Sequence, residues 1–320
     1  MFKGVDFWPH DKVFPIMKVR RSFVIASIVV FTLAVALLAT RGLNFGIDFK
    51  GGSLFEIQSK SGAVDIGELR NKLNGLGLGS VQIQQLDEPT DALIRFEEQK
   101  AKDGESSEKA QQNAAEKVQE ALGGDVEIRR TEVVGPAVSG ELAWAGVTAV
   151  LFAIFGILLY IWFRFEWQFA IASIVALVHD ITITLGVFSI LGLDFGLSEV
   201  AALLTLAGYS INDTVVVFDR IRENLRRYKK MALDQLMNLS INETLSRTVL
   251  TSGTTLLAVL SIYVFGTEVI KGFAFAMLFG ILIGTWSSIF VASPFLLWIG
   301  VKRDWSGIAK SDKATAATQS

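Results

Sequence analysis

The sequence predicts a membrane bundle of six α-helices with one α+β domain inserted after the first helix. Three observations carry that prediction. Of the 320 residues, 51% are hydrophobic, including 23 Phe, well above what a soluble chain needs. Six apolar runs approach or exceed the roughly 20 residues that cross a bilayer. One long polar stretch separates the first run from the second.

The expected spans are residues 22–40, 142–163, 167–193, 198–218, 247–267 and 272–299. The first is longer than the apolar core of a signal peptide and ends at Arg41 without a small-residue cleavage site, so it reads as an uncleaved anchor. Loop charge orients the set, because short cytoplasmic segments accumulate Lys and Arg. Residues 1–21 hold Lys3, Lys12, Lys18, Arg20 and Arg21. The loop after the fourth span holds Arg220, Arg222, Arg226, Arg227, Lys229 and Lys230, with Arg247 where the fifth begins. The tail 302–320 adds Lys302, Arg303, Lys310 and Lys313, whereas the short loops on the other side offer only Lys271. Both termini are therefore expected in the cytoplasm, and 302–320 is expected to be disordered. The chain has no cysteine, which excludes disulfides and thiolate-ligated metals.

Residues 41–141 form the polar stretch, which this topology places outside the cytoplasm. They carry 12 Lys/Arg against 18 Asp/Glu, a net of −6, a charge that repels nucleic acid. Residues 53–58 alternate like a strand, 65–76 have helical spacing, and 80–86 and 92–97 alternate again. An Ala- and Glu-rich helical stretch covers 106–122, and a last strand 125–134. That order, β-α-β-β-α-β, predicts a ferredoxin-like domain. It shows no clustered His, no nucleophile beside a base and no phosphate loop, so it reads as a docking or mechanical module and not an enzyme. Glycine-rich text marks its two ends: Asp48, Phe49, Gly51 and Gly52 at entry, Gly135 and Pro136 at exit. These are expected turn or hinge positions.

Within the spans the informative residues are charged. Asp213 stands in an uncharged run from Val200 to Phe218, where a carboxylate costs roughly 3 kcal/mol on insertion scales; it reads as a working group. Ala201, Thr205, Tyr209 and Asp213 recur every fourth residue, with Gly208 and Asn212 beside them, and suggest a small, polar helix face. Asp213 lies about 9 Å inside Asp219 at helical rise. Arg247 reaches a similar depth if its helix starts a turn or two early. It then either pairs with Asp213 or simply follows the positive-inside rule. A pair that opened and closed would take up and release a proton. His179 and Asp180 lie near the middle of the third span, either as structural hydrogen-bonding groups or as a relay. One His and two Asp make a poor metal site. Ala276, Gly280, Gly284, Ser288 and Ala292 form a small-residue ridge on the sixth span, fit for internal packing or for a partner. Glu199 and Lys271 read as solvated at the interface, and Asp219, Arg220, Arg222 and Glu223 as an ion-paired surface.

Several of these passages are also family text. Asp-Phe-Lys-Gly-Gly at 48–52, Val-Gly-Pro at 134–136, Phe-Arg-Phe-Glu-Trp at 163–167, Ala-Leu-Val-His-Asp at 176–180, the run 208–224 and Arg-Thr-Val-Leu-Thr-Ser-Gly-Thr-Thr at 247–255 resemble the SecF branch of the SecD/SecF family. The resemblance covers nearly the whole chain. It implies membership of the resistance-nodulation-division superfamily, the bacterial inner membrane, and a complex with SecD, often with YajC, beside the SecYEG channel. It further implies that the ion-motive force is used to draw a translocating polypeptide across late in export. Asp213 and Arg247 match the positions credited with ion coupling. The coupling ion, H⁺ or Na⁺, stays open, and no other cofactor is implied. Two other readings stand beside this one: an ion-coupled half-transporter for a small molecule or lipid, and a scaffold subunit without a transport cycle.

Overall fold

The structure, a computed structural model, describes residues 13–79, 81–86, 88–99 and 106–301. Most of the amino-terminal tail and the tail 302–320 lie outside these residues, as do the basic groups they carry. The chain divides into two compact units, one built from the described parts of Met1–Leu43, Leu151–Leu193 and Ala201–Ser320, the other from Asn44–Val150 with Asp194–Val200.

The helical unit draws on six helices long and apolar enough to cross a membrane: α1 (Ile16–Thr40), α5 (Pro136–Arg164), α6 (Trp167–Leu191), α7 (Leu197–Arg227), α8 (Leu233–Phe265) and α9 (Glu268–Ser287). The last continues through a π-helical turn, Ser288–Ala292, into α10 (Ser293–Ile299). Several bounds differ from expectation. Helix α5 starts at Pro136, before 142, and α8 starts at Leu233, well before 247. Residues 233–246 are helical but too polar for the apolar-run criterion, so hydropathy alone sets the start too late and leaves Arg247 well inside its helix.

Small residues set the closest helix crossings. A Cβ on Gly186 of α6 would fall 2.6 Å from Ala34 Cβ of α1, and one on Gly280 of α9 would collide with Leu206 of α7. Gly284 lies against Ser210, where a Cβ would stand 3.2 Å from the serine Cβ. The ridge on the sixth span thus serves internal packing: Ala276, Gly280, Gly284, Ser288 and Ala292 are all buried. Phe169, Leu177, Phe218, Ile221, Leu236 and Leu296 belong to one apolar cluster at the centre of this unit.

In the second unit, β2 (Gly52–Ser59), β3 (Val81–Gln85), β4 (Asp91–Phe96) and β5 (Val126–Val134) form an antiparallel sheet in the order β3-β4-β2-β5. Helix α3 (Ile66–Asn74) connects β2 to β3, and α4 (Ser107–Leu122) leads into β5. Leu69, Leu73, Ala114 and Val118 from these helices share one core with Phe55, Ile57, Ile94 and Phe96 of the sheet, so both helices cover the same face. Asp65 caps α3 by accepting from the amides of Gly67 and Glu68 at 2.8 and 3.0 Å.

The start of this unit holds a short helix, α2 (Ile47–Lys50), and a second, two-residue ladder. Here β1 (Asn44–Phe45) runs parallel to β6 (Asp194–Phe195). Their surroundings are an internal repeat, Gly-Leu-Asn-Phe-Gly-Ile at 42–47 and Gly-Leu-Asp-Phe-Gly-Leu at 192–197. Gly42 and Gly192 both take positive φ, 70° and 66°, which explains why glycine ends both helices.

Candidate intramembrane polar site

Helix α7 brings Ser210 and Asp213, three residues apart, to a buried region of the helical unit where α6, α8 and the end of α9 meet it. Asp213 accepts from Thr248 Oγ1 of α8 at 2.6 Å through Oδ1, and from Ser288 Oγ of the π turn at 2.5 Å through Oδ2. Asp180 of α6 is completely buried. Its Oδ2 accepts from Ser210 at 2.6 Å and Ser287 at 2.7 Å, while Oδ1 lies 2.9 Å from Nδ1 of neighbouring His179. Consecutive residues, Ser287 and Ser288, therefore serve the two carboxylates.

A third polar chain runs alongside. Tyr209 OH donates to Ser252 Oγ at 3.3 Å, and Ser252 and Thr285 share a 2.7 Å hydrogen bond. This joins α7, α8 and α9. A carboxylate in a low-dielectric interior is strongly disfavoured unless its lone pairs are filled, and these hydroxyls fill them without adding a formal charge. Two buried atoms in the neighbourhood, His179 Nε2 and Thr214 Oγ1, have no hydrogen-bond partner among the described residues. The His179 ring stacks on Phe31 of α1, with ring centres 6.2 Å apart.

The structure rearranges several sequence expectations. No ion pair within 4.0 Å joins Arg247 to Asp213. Arg247 is exposed, though close enough for its charge to act on the carboxylate. The polar face proposed for Ala201, Thr205, Tyr209 and Asp213 does not hold together: Ala201 and Thr205 are exposed, Tyr209 half-buried and Asp213 buried, with Gly208 and Asn212 exposed. Each four-residue step overshoots a 3.6-residue turn by about 40°, so over twelve residues the stripe drifts about 120° around the helix. His179 and Asp180 meet each other, Nδ1 against Oδ1 at 2.9 Å. Where Asp219 to Glu223 were expected to be ion-paired, Arg164 reaches Asp219 at 3.0 Å and Arg220 reaches Glu223 at 2.6 Å.

In the second unit, the glycine-rich entry makes a packed corner. Gly51 and Gly52 both have positive φ, 73° and 121°, and a Cβ on Gly52 would lie 2.5 Å from the Phe96 carbonyl oxygen. Asp48 Oδ2 accepts from the Leu197 amide at 2.9 Å, at the start of α7, and Phe49 joins a ring cluster with Phe45 and Phe195. At the exit, Gly135 is buried and a Cβ there would stand 3.2 Å from Glu108 Cγ, while Pro136 opens α5. Glu199 is buried, accepting from the Gly196 amide at 2.7 Å, and so is not the solvated group that its place at a helix end suggests. Lys271 pairs with Glu268 at 2.5 Å. Among the described residues, no group of three or more His, Cys, Asp or Glu is arranged to hold a metal.

Sequence reasoning missed the hydroxyl partners Ser210, Thr248, Ser252, Thr285 and Ser287, and it missed Asp194. Asn44 Nδ2 donates to Asp194 Oδ1 at 2.7 Å, and Arg95 forms a two-pronged ion pair with the same carboxylate. The repeat at 42–47 and 192–197 was the available signal for that cluster. For the hydroxyls no signal existed, because serine and threonine are unremarkable in a span.

Comparison with known proteins agrees with the motifs. Residues 114–302 match the family model described as "Protein export membrane protein SecD/SecF, C-terminal", and residues 36–63 match the "SecD/SecF GG Motif". The chain is 49% identical over 300 residues to the protein translocase subunit SecF of Rhodobacter capsulatus, covering 90% of this chain and 89% of that one. It is 47% identical to the SecF of Cereibacter sphaeroides, with 89% of each covered. Among solved structures, SecDF from Thermus thermophilus superposes with a TM-score of 0.81 at 37% identity over 92% of this chain. This chain spans only 40% of that protein's length. With six apolar helices and these matches over most of its length, the chain is a multi-pass membrane protein and belongs to the SecD/SecF family of protein-export membrane proteins.

Proposed function

We propose that this chain is the SecF-type subunit of the protein-export machinery, working with SecD beside SecYEG in the bacterial inner membrane, and that it uses the ion-motive force to promote late translocation of a polypeptide. The carrying observation is Asp213: a carboxylate buried within a membrane-spanning helix whose hydrogen-bond partners are the neutral hydroxyls of Thr248 and Ser288. Intramembrane carboxylates of this kind mark ion pathways. Moving one charge through 100 mV supplies about 2.3 kcal/mol, comparable with exchanging a few buried hydrogen bonds. The ion loads and unloads at Asp213, with Arg247 one residue before Thr248 as the charge that biases it. The coupling ion is H⁺ or Na⁺.

Partnership with SecD is supported by fused relatives, such as the SecDF of Brucella abortus, of which the region matched by this chain is 37%. The polar unit's antiparallel order, with α3 and α4 on one face, supports the reading of a ferredoxin-like domain. Loop charge supports placing it in the periplasm, with both termini in the cytoplasm.

The test is pulse-chase export of a secretory protein in cells whose only copy carries Asp213→Asn, with SecD co-purification measured in parallel. Slowed export from an assembled complex is expected. Normal export would remove Asp213 from ion coupling, and loss of assembly would instead favour a scaffold.

A further inference from the structure

We infer that Asp180 and Asp213 operate as one proton-handling pair, with Ser287 and Ser288 as the positioning residues that couple them; this deepens the reading of Asp213 given above and rests on it. Three hydrogen bonds and one short spacing along α7 define the unit. Ser287 donates to Asp180 at 2.7 Å and Ser288 to Asp213 at 2.5 Å. On the facing helix, Ser210 donates to Asp180 at 2.6 Å, and Asp213 follows it by three residues, less than one turn. The two carboxylates are thus tied through one peptide group on one side and through a three-residue step of α7 on the other.

Each positioning serine has a second acceptor already in reach. Ser288 Oγ lies 3.0 Å from the Thr285 carbonyl and Ser287 Oγ 3.1 Å from that of Gly284. When Asp213 is ionised, Ser288 donates to it. When a proton arriving from water bonds to Oδ2, that oxygen ceases to be a good acceptor, and the Ser288 hydroxyl turns onto Thr285. The freed Ser288 oxygen then accepts from the new Asp213 O–H, so the step reverses one hydrogen bond, strengthens another and leaves no buried donor unpaired. Asp180 and Ser287 repeat the arrangement next door, and the two serines share one peptide group.

The local helix is built to allow such a turn. Ser288–Ala292 is a π turn, and Ser293 Oγ donates back to the Ser288 carbonyl at 2.9 Å. Pro294 has no N–H to offer the carbonyl of Phe290, which loosens the α register at this point. Such turns recur at functional sites, since they change helix register locally. The groups facing the pair are few: His179, Ser210 and Ser287 around Asp180, and Thr248, Ser288 and the charge of Arg247 around Asp213. His179 Nε2 is buried and has no hydrogen-bond partner among the described residues.

The experiment is infrared difference spectroscopy of the full chain in lipid bilayers across pH, with the carboxylic-acid bands assigned by Asp180→Asn and Asp213→Asn. The expected result is that Ser288→Ala shifts the titration midpoint of the Asp180 band as well as that of Asp213, each by about one pH unit. Ser288→Thr, which keeps the hydroxyl, should restore both. Ser287→Ala, read at the Asp213 band, gives the reciprocal measurement should Ser288→Ala fold poorly. An Asp180 band that titrates identically in wild type, Ser288→Ala and Asp213→Asn would overturn the inference. The outcome is separable from export: coupled bands with normal export by Asp213→Asn would support the pair while removing the proposed function.

Discussion

Thr248 donates its hydroxyl to Asp213 at 2.6 Å from the position directly after Arg247. The arginine that the motif singles out is thus adjacent to the group that hydrogen-bonds the carboxylate, and is itself exposed and not within ion-pair distance of it. Thr248→Val keeps the shape and removes the donor. A buried acceptor left short of a partner costs about 1–3 kcal/mol, so the variant should lose that much stability in a denaturation series in detergent and should export more slowly. Thr248→Ser should retain most of both. Equal behaviour of Val and Ser would show that the hydroxyl contributes nothing.

The α7–α9 crossing gives a prediction about packing. Gly280 and Gly284 lie against Leu206 and Ser210, whereas a Cβ on Gly253 of α8 would meet nothing within 4 Å. Gly280→Ala should destabilise the bundle by about 1–3 kcal/mol through its clash with Leu206. Gly253→Ala should be neutral or up to about 1 kcal/mol stabilising, since it removes backbone freedom from a helix interior. Thermal unfolding monitored by fluorescence ranks the two directly.

Gly52 offers a comparable contrast in the second unit. Its φ of 121° is shared by Gly62, at 120°, but only Gly52 has a neighbour, the Phe96 carbonyl oxygen, in the way of a side chain. Both alanine variants meet the backbone strain of about 1–3 kcal/mol; Gly52→Ala adds a steric clash within the β2–β4 ladder. Its loss of stability should therefore exceed that of Gly62→Ala, as read by hydrogen exchange of the β4 amides. Similar exchange in the two variants would mean that the corner relaxes without cost.

Asp194 gathers Asn44, Arg95 and the β1–β6 ladder. Asp194→Asn keeps the size and loses the ion pair. The amide of Gly46, which donates to the Phe195 carbonyl at 2.9 Å, should then exchange several times faster. The carboxylate is partly exposed, so the effect should shrink at high salt. An unchanged Gly46 exchange rate would show that the ladder holds without the charge.

Legibility in the sequence followed the range of each interaction. The six spans were visible because length and apolarity are properties of a continuous segment. Asp180 and Asp213 were visible because a charge inside an apolar run is conspicuous wherever its partners lie. The start of α8 was not, since 233–246 carry polar residues and helicity there does not depend on hydropathy. The fourfold spacing of Ala201, Thr205, Tyr209 and Asp213 misled, because it drifts off a 3.6-residue turn. The repeat around Phe45 and Phe195 was legible by self-comparison, although only the ladder shows what it is for.

By itself, the sequence determined that the chain enters a membrane six times, that a polar domain follows the first span, and which two acids lie deep in the helices. Each of these depends on residues near one another in the chain. Only the tertiary structure decided that Thr248 and Ser288, not Arg247, hold Asp213, and that Ser287 and Ser288 divide their hydroxyls between two carboxylates. Those contacts join residues 35 to 107 positions apart. They arise from which helices pack together and at what height, and helix packing is set by the fit of small residues such as Gly280 and Gly284 against a partner surface, not by any pattern within a single helix.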